Sequence, residues 1–537
     1  MRLRFPPMKL RSGEGMALAA TLAAGVFLRA YRFHDWLHFG SDQSRDAVIA
    51  SGAASGNIPW PLLGPEAAHT GFHLGPAYYY FQIVSAKLFG RAPEVFAYPD
   101  LLFSVLSIPL LYVLLARFVR RPIALSLTFV YAVSSYSVYY SRFAWNTNPI
   151  PFFSMLFILS LSEILHFGGR SRWMWVILLG ISVGIGVQLH TMLLTLFPIV
   201  TIMTAAVGLR YDFRAWNRWL AVLAIALCLN GPQIVDGFAT GFANTRQFLS
   251  VSSDKSGSGA SRLVRNLENA VLCHAEANAV MLSAVGENDK CSYISLWKHP
   301  SVSMARLGRR QFVTRSLGYV LSMAFSVAGY WSLARQFRNE SDRRKKILLG
   351  IVLLYVVLTF VLSVPVLFDA PLRYFLHTIF VPFLFVALMI ERYGTSARGH
   401  LISATLGIAA VLVTTNLYAL GSQASHLAGM TRGDDGFAVL DQVESLVQFA
   451  VSSSSGNEGY LLGRHTYFSA YASPLAYVAS LRGYVLRRAE SIDDVPTGAD
   501  VFYLWRPTPP DTEKRFDGRA VERSVTIGNL EFYMVRK

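Results

Sequence analysis

The sequence predicts a mainly α-helical, polytopic membrane protein: a bundle of about eleven transmembrane helices followed by a small C-terminal α/β domain outside the cytoplasm. Three observations lead there. First, 53% of the 537 residues are hydrophobic and only 15% are charged, against about a quarter charged in soluble globular proteins. Second, apolar runs of roughly 20 residues, the length that crosses the hydrocarbon core, recur along most of the chain. Third, basic residues cluster between those runs, as in Arg117/Arg120/Arg121, Arg170/Arg172, Arg210/Arg214/Arg218 and Arg335/Arg338/Arg343/Arg344/Lys345/Lys346. That is the positive-inside pattern. The net charge of +16 (49 basic against 33 acidic residues) therefore reports topology, and no nucleic-acid partner is expected.

The apolar segments fall near 15–33, 98–118, 122–140, 149–166, 173–190, 192–209, 217–235, 315–334, 347–367, 374–390 and 400–420. Arg2, Arg4, Lys9 and Arg11 precede the first, and no small-residue cleavage site closes it, so it reads as a retained start-transfer helix. With the N-terminus cytoplasmic and strict alternation, every dense basic cluster lies in the cytoplasm. The loops 34–97, 141–148, 236–314 and 368–373 and the tail from 421 lie outside. This parity requires that 74–89 does not span. Its Tyr78, Tyr79, Tyr80 and Phe81 suit a helix lying at the headgroup level, where amphipathic rings are favoured. The protein is thus expected in an inner or plasma membrane.

The chain divides into a membrane domain, 1–420, and a soluble domain, 421–537. In the latter Phe437, Leu440, Val443, Leu446, Val447 and Ala450 share one helical face. The runs Tyr460–Leu462, Asp500–Trp505 and Leu530–Val535 read as strands separated by Gly, Pro and Asp turns. Cys228 sits in an apolar helix, where packing explains it. Cys273 and Cys291 share the 236–314 segment and would pair if it faces an oxidising compartment.

Acidic residues at the bilayer edge are candidates for function, and Asp42 and Asp46 follow the first span four residues apart. On a helix they would share a face and serve as general base or cation ligands; a hydrophilic turn with an Arg45–Asp46 surface pair is the plainer alternative. His34/His38 and His69/His73 have chelating spacing, but no Glu or Cys accompanies them in a zinc pattern. His73, in the Gly-rich aromatic stretch with Tyr78 and Tyr79, is a candidate substrate contact. The third span delivers Arg142 and Asn146 to the same surface, and the tenth opens with Arg373 and Tyr374. Both arginines suit a lipid phosphate, since guanidinium forks bind it well; anionic headgroups of ordinary lipids would occupy them equally. Gln188 and His190 close the fifth span near this face, where a polar helix–helix contact also explains them. No Walker A sequence, dinucleotide fingerprint, nucleophile elbow or HExxH motif occurs, so no nucleotide cofactor is expected.

With these residues in hand, the chain resembles the GT-C class of polytopic glycosyltransferases, which includes the bacterial aminoarabinose transferases, the protein O-mannosyltransferases and the oligosaccharyltransferase catalytic subunit. The resemblance covers 15 to about 390. It is carried by Gly40-Ser41-Asp42-Gln43, by the juxtamembrane Gly75-Pro76 and Tyr78-Tyr79-Tyr80, by Tyr140-Ser141-Arg142, and by Leu372-Arg373-Tyr374 with Pro382. It implies a polyprenyl-phosphate-linked sugar donor, membrane lipids as surroundings, and an envelope acceptor: an anionic glycan, a glycolipid or a protein. It also implies that Asp42 is the base or holds a divalent metal ion. The chain departs from the family where relatives carry further acids, at Gln43 and Asn146; Asp46 or Asp100 would have to substitute in a two-carboxylate metal site. The rival readings are a flippase or transporter of lipid-linked saccharides and a saccharide ligase or polymerase. Transporters concentrate ionisable residues at mid-membrane. Here span centres are nearly free of charge and the polar residues gather on one face, which favours an enzyme. The basic residues Lys255, Arg262, Arg265, Arg306, Arg309 and Arg310 of the 236–314 segment would recruit an anionic acceptor; tolerance of charge in a long loop is the plainer explanation.

Overall fold

The computed structural model describes residues 12–67, 70–165, 172–256, 260–284, 291–298, 300–364, 372–393, 398–429, 438–463, 466–505, 516 and 518–537. In chain order the helices are α1 (Ser12–Ala30), α2 (Ser41–Ala54), α3 (Ala77–Phe89), α4 (Tyr98–Leu115), α5 (Arg121–Ala132), α6 (Ser135–Tyr139), α7 (Ile150–Ile164), α8 (Arg172–Gly186), α9 (Thr191–Tyr211) and α10 (Trp216–Leu229). They continue with α11 (Gly231–Ala239), α12 (Ala243–Ser256), α13 (Ala260–Ser283), α14 (Ser292–Lys298), α15 (Pro300–Asn339), α16 (Arg343–Ser363), α17 (Phe380–Tyr393) and α18 (Arg398–Ala428). Each apolar segment of the sequence coincides with one of these helices or with a broken pair. Among the described residues, five helices are long and apolar enough to cross a membrane, or up to seven if each of two bent pairs is one span. The bends are 62° between α10 and α11 and 56° between the 3-10 turn Leu372–Thr378 and α17.

The third segment also breaks, between α5 and α6, where the Ser134 side chain accepts the Ser137 N–H and starts a new helix. The segment 236–314 departs from the loop the sequence suggested. It is largely helical, and α13 enters the bundle: Ala270, Cys273, Ala277, Val280 and Met281 join the main core. Its apolar stripe is interrupted by Asn266, His274, Glu276 and Asn278, all buried. Asn278 donates to Ser326 Oγ at 3.1 Å, and Glu276 accepts the Tyr293 N–H at 2.9 Å. Those bonds offset the burial of Glu276 and of the Asn278 amide group, whereas Asn266 Oδ1 and Asn278 Oδ1 are buried without a hydrogen-bond partner among the described residues. Cys273 and Cys291 form a disulfide with a Cα–Cα distance of 5.3 Å.

The C-terminal region adds α19 (Leu440–Ser453), β1 (Glu458–Leu462), α20 (Thr466–Leu481), β2 (Val485–Arg488), β3 (Asp500–Trp505), β4 (Val521–Ile527) and β5 (Leu530–Arg536). The sheet order is β2-β1-β3-β5-β4, with β1 parallel to both β2 and β3 and β5 antiparallel to β3 and β4. The helical face expected in 437–450 is buried from Leu440 to Ala450; Phe437 lies outside the described residues. This region shares one core with the first interhelical segment. Phe39, Ala47, Ala50, Tyr79, Ile83 and Phe96 pack with Leu440, Val443, Leu475 and Phe502. Backbone bonds from Phe39 N to Ala438 O (2.8 Å) and from Leu440 N to Leu37 O (2.9 Å) stitch the two together. α2 is therefore held between α3 and α20, which fixes its orientation.

Candidate active site

α2 is the element that carries the acids. Its alanines favour helix, Gln43 Oε1 accepts the Gly40 N–H at 3.1 Å, and the chain leaves it at Gly56, whose φ of +77° suits glycine. Gln43, Asp46, Ala47, Ala50 and Ala53 form its buried stripe. Asp42 and Asp46 thus have different environments despite their spacing: the Asp42 side chain is 53% exposed and that of Asp46 is 3% exposed. Arg45 joins them. Its Nη1 donates to Asp42 Oδ1 at 3.0 Å, while Nε and Nη2 donate to Asp46 Oδ1 at 3.0 and 2.9 Å. The Arg45–Asp46 pair read as a surface contact is in fact a bridge between an exposed and a buried carboxylate.

α3 supplies the second half of the cluster. It starts after Gly75-Pro76 and stops at Gly90, whose φ is +96°. Tyr79 Oη donates to Asp46 Oδ1 at 3.1 Å, and Tyr78 Oη donates to Asp100 Oδ2 at 3.0 Å. Burial pushes the Asp46 carboxyl up to about 6 against the opposing pull of Arg45. The same burial, with Asp46 beside it, raises the Tyr79 phenol. The Arg45 guanidinium is raised above its ordinary value because its two carboxylates outweigh its burial.

The segment 142–148 lies against α2, since Gln43 Nε2 donates to Ala144 O at 3.1 Å. Arg142 is spent on the end of α1: Nη1 donates to Leu28 O and Arg29 O at 3.2 and 3.0 Å, and Nη2 to Arg32 O at 3.0 Å. It thereby satisfies carbonyls that a helix terminus leaves unpaired. Asn146 donates to Leu189 O at 2.7 Å. Arg373 lies over the Trp145 ring, 4.6 Å from its centroid, and the Tyr374 ring meets His190 edge-on at 4.8 Å. His190 Nδ1 accepts the Met192 N–H at 3.1 Å and so starts α9.

His73 and Gln188 fasten the juxtamembrane stretch. His73 Nδ1 is 3.0 Å from Gly64 O, and its backbone N–H donates to Asn244 Oδ1 at 2.8 Å. Gln188 Oε1 accepts the Ala77 N–H at 3.1 Å, while Nε2 donates to Gly184 O and Leu229 O at 2.7 and 3.0 Å. His69 lies outside the described residues. His34 and His38 stand apart from His73: His34 faces Glu94 at 3.2 Å and Glu444 at 3.3 Å, and His38 Nδ1 is 3.2 Å from Ala438 O. Among the described residues no group of three or more His, Cys, Asp or Glu is placed to hold a metal ion. Asp42 and Asp46 are both engaged by one guanidinium, so as arranged they do not fit the divalent site the resemblance implied.

Sequence reasoning located Asp42 and Asp46 but missed that Arg45 ties them together and that Gln43 docks α2 on Ala144. The i, i+3 spacing of Asp42 and Arg45 was the available signal; nothing local in the sequence indicates Ala144.

Residues 73–235 match the dolichyl-phosphate-mannose-protein mannosyltransferase family. The matched segment contains His73, the tyrosines of α3, Arg142, Asn146, Gln188 and His190, and it supports a glycosyltransferase of the GT-C class. No curated protein matches the chain by sequence. Among solved structures, it is similar to the Archaeoglobus fulgidus oligosaccharyltransferase in complex with Zn and sulfate, at 14% identity and a TM-score of 0.48 over 88% of this chain. The chain spans only 62% of the length of that enzyme. It is also similar to ArnT from Cupriavidus metallidurans bound to undecaprenyl phosphate, at 14% identity and a TM-score of 0.43 over 98% of both chains. A third likeness, to the Saccharomyces cerevisiae Pmt1-Pmt2 protein O-mannosyltransferase complex bound to its sugar donor, has 16% identity and a TM-score of 0.35, covering 44% of this chain and 35% of that one.

Proposed function

We propose that the protein transfers a sugar from a polyprenyl-phosphate-linked donor to an envelope acceptor (a glycolipid, polysaccharide or protein) at the outer face of an inner or plasma membrane. The observation that carries the reading is the Arg45 bridge, which holds the exposed Asp42 at 3.0 Å and is itself anchored on the buried Asp46. A base has to be reachable and fixed in direction. Asp42 is the reachable group; Asp46, Tyr79 and Arg45 are positioning residues.

In this mechanism Asp42 takes the proton of an acceptor hydroxyl as its oxygen attacks the anomeric carbon in line. The bond from that carbon to the lipid phosphate oxygen breaks, configuration inverts, and the lipid phosphate leaves as an anion. Arg373, held on Trp145 beside the segment that touches α2, stabilises that charge. Arg142 is assigned to holding α1 and not to the phosphate. The acceptor is recruited by the basic groups of 236–314, of which Arg265, Arg309 and Arg310 are described and exposed.

The test follows the release of free lipid phosphate by the purified protein from lipid-phosphate monosaccharides. A general base contributes about 10²–10⁴ in rate, so Asp42→Asn is expected to lose at least about a hundredfold while still inserting in membranes. Near-normal turnover in that variant refutes the mechanism. Saccharide movement between leaflets without release of lipid phosphate points instead to a flippase.

A further inference from the structure

Opposite the acid cluster, the bundle has a second built feature. Between α7, α9 and α16 lies a cavity of about 250 Å³ lined by Leu165, Val207, Gly208, Tyr211, Arg343, Lys346 and Ile347. Its floor is apolar and its mouth is cationic. Gly208 keeps the floor open, since a Cβ there would lie 2.9 Å from Leu165 Cδ2. Arg343 and Lys346 are one helical turn apart, and the Arg343 guanidinium lies over the Tyr211 ring, 5.7 Å from its centroid. Asp342 Oδ1 accepts the Arg344 N–H at 2.7 Å and caps α16, and Glu340 Oε1 accepts the Asp342 N–H at 3.0 Å.

The cavity lies one bilayer away from the candidate active site. α9 begins beside His190 and runs for 21 residues to Tyr211, about 31 Å at 1.5 Å per residue, which matches a hydrocarbon core of roughly 30 Å. The exposed aromatic residues Tyr211, Phe213 and Trp216 mark the level of the membrane–water interface there. Arg210, Arg214 and Arg218 add to the positive field.

We infer that this cavity binds an acidic phospholipid of the leaflet opposite Asp42, its phosphate between Arg343 and Lys346 and the start of its acyl chain on Val207 and Ile347. The apolar floor argues against a free anion, because inorganic phosphate gains nothing there. Paired cations at a mouth of this depth favour an acidic headgroup over a zwitterionic one.

The experiment is native mass spectrometry of the full chain with added phosphatidylglycerol, phosphatidylethanolamine, undecaprenyl phosphate or inorganic phosphate. The site predicts selective retention of phosphatidylglycerol. The double variant Arg343→Gln/Lys346→Gln should weaken retention roughly ten- to thirtyfold, and the charge-matched Arg519→Gln/Arg523→Gln, at exposed positions of the C-terminal region, should not. Equal retention of phosphatidylethanolamine, undiminished retention by the first double variant, or an equal loss in the second overturns the assignment. Displacement by millimolar inorganic phosphate overturns it in favour of a plain anion site. Displacement by undecaprenyl phosphate overturns it in favour of a second donor-lipid site.

Discussion

Tyr79 donates its phenolic hydrogen to Asp46 Oδ1 at 3.1 Å, on the oxygen that also receives Arg45. This bond favours the ionised carboxylate and opposes the burial that lifts Asp46 to about 6. Removing it with Tyr79→Phe is expected to move the Asp46 titration further up. If Asp46 must be ionised to hold Arg45, the acidic limb of the rate–pH profile rises to higher pH, with little loss on the plateau. The measurement is kcat/KM against pH for the two proteins; superimposable acidic limbs would remove Asp46 from the working site.

The same titration bears on stability. A carboxyl raised from about 3.8 to about 6 leaves the folded protein holding more protons than the unfolded chain between those values. Stability contributed by this group is therefore highest below about pH 4 and falls as pH rises through about 6. Asp46→Asn should flatten that part of the curve of thermal midpoint against pH, measured in detergent.

His34 gives a slope of the same sign in a higher window. Its partial burial lowers its pKa, but Glu94 and Glu444 outweigh it and leave a net rise. The bridge joins the first interhelical segment to α19, so its stabilisation is fully present below about 6.5 and is lost as pH rises through the raised value. His34→Gln should remove this pH dependence from the docking of the C-terminal region, read as protease release of that region near neutral pH. Equal release of the two proteins across that range would show that the bridge is inconsequential, as many exposed pairs are.

Gly75 and Gln188 meet so closely that a Cβ on Gly75 would lie 2.4 Å from Gln188 Cγ. Gln188 is buried and bonded to three backbone groups, so it has little room to withdraw. Gly75→Ala is expected to cost on the order of 1–3 kcal/mol and to loosen the start of α3, and with it Tyr78 and Tyr79. Gln188→Ala in the same background should restore part of the loss by vacating the space. An unshifted thermal midpoint in Gly75→Ala would contradict this packing.

Much of the fold was legible because span length and strand alternation are local properties. The three strands expected in the C-terminal region are β1, β3 and β5, whereas β2 and β4 escaped. Their sequences, Val485-Leu-Arg-Arg488 and Val521-Glu-Arg-Ser-Val-Thr-Ile527, lie at the sheet edges and are largely exposed, so they lack the apolar run that betrays a central strand. α13 escaped because its buried face carries Asn, His and Glu, whose partners on α14 and α15 lie far along the chain. Breaks such as that between α5 and α6 involve partners farther still along the chain: the Ser135 N–H is taken up by Asn416 Oδ1. The acids of α2 were visible as charges out of place. The work of Arg142 was not, since the carbonyls it holds are more than 100 residues away.

The sidedness of the membrane domain is the broadest expectation to test. α3 has 13 residues, about 20 Å of helix, which falls short of the roughly 30 Å hydrocarbon core. A reporter fused after Arg91 should therefore read as outside, together with one after Gly421, while fusions after Leu209 and Arg338 read as cytoplasmic. The Cys273–Cys291 pair gives an independent check, because disulfides persist in oxidising compartments. In intact cells a membrane-impermeant reductant followed by a thiol-directed label should modify Cys291, which is half-buried, while its partner Cys273 stays shielded in the core. A cytoplasmic signal after Arg91 would invert every later segment, send Arg373 to the face opposite Asp42, and leave the disulfide in a reducing compartment; concordant outside signals at Arg91 and at Cys291 would place Asp42, Arg373 and α13 on one face.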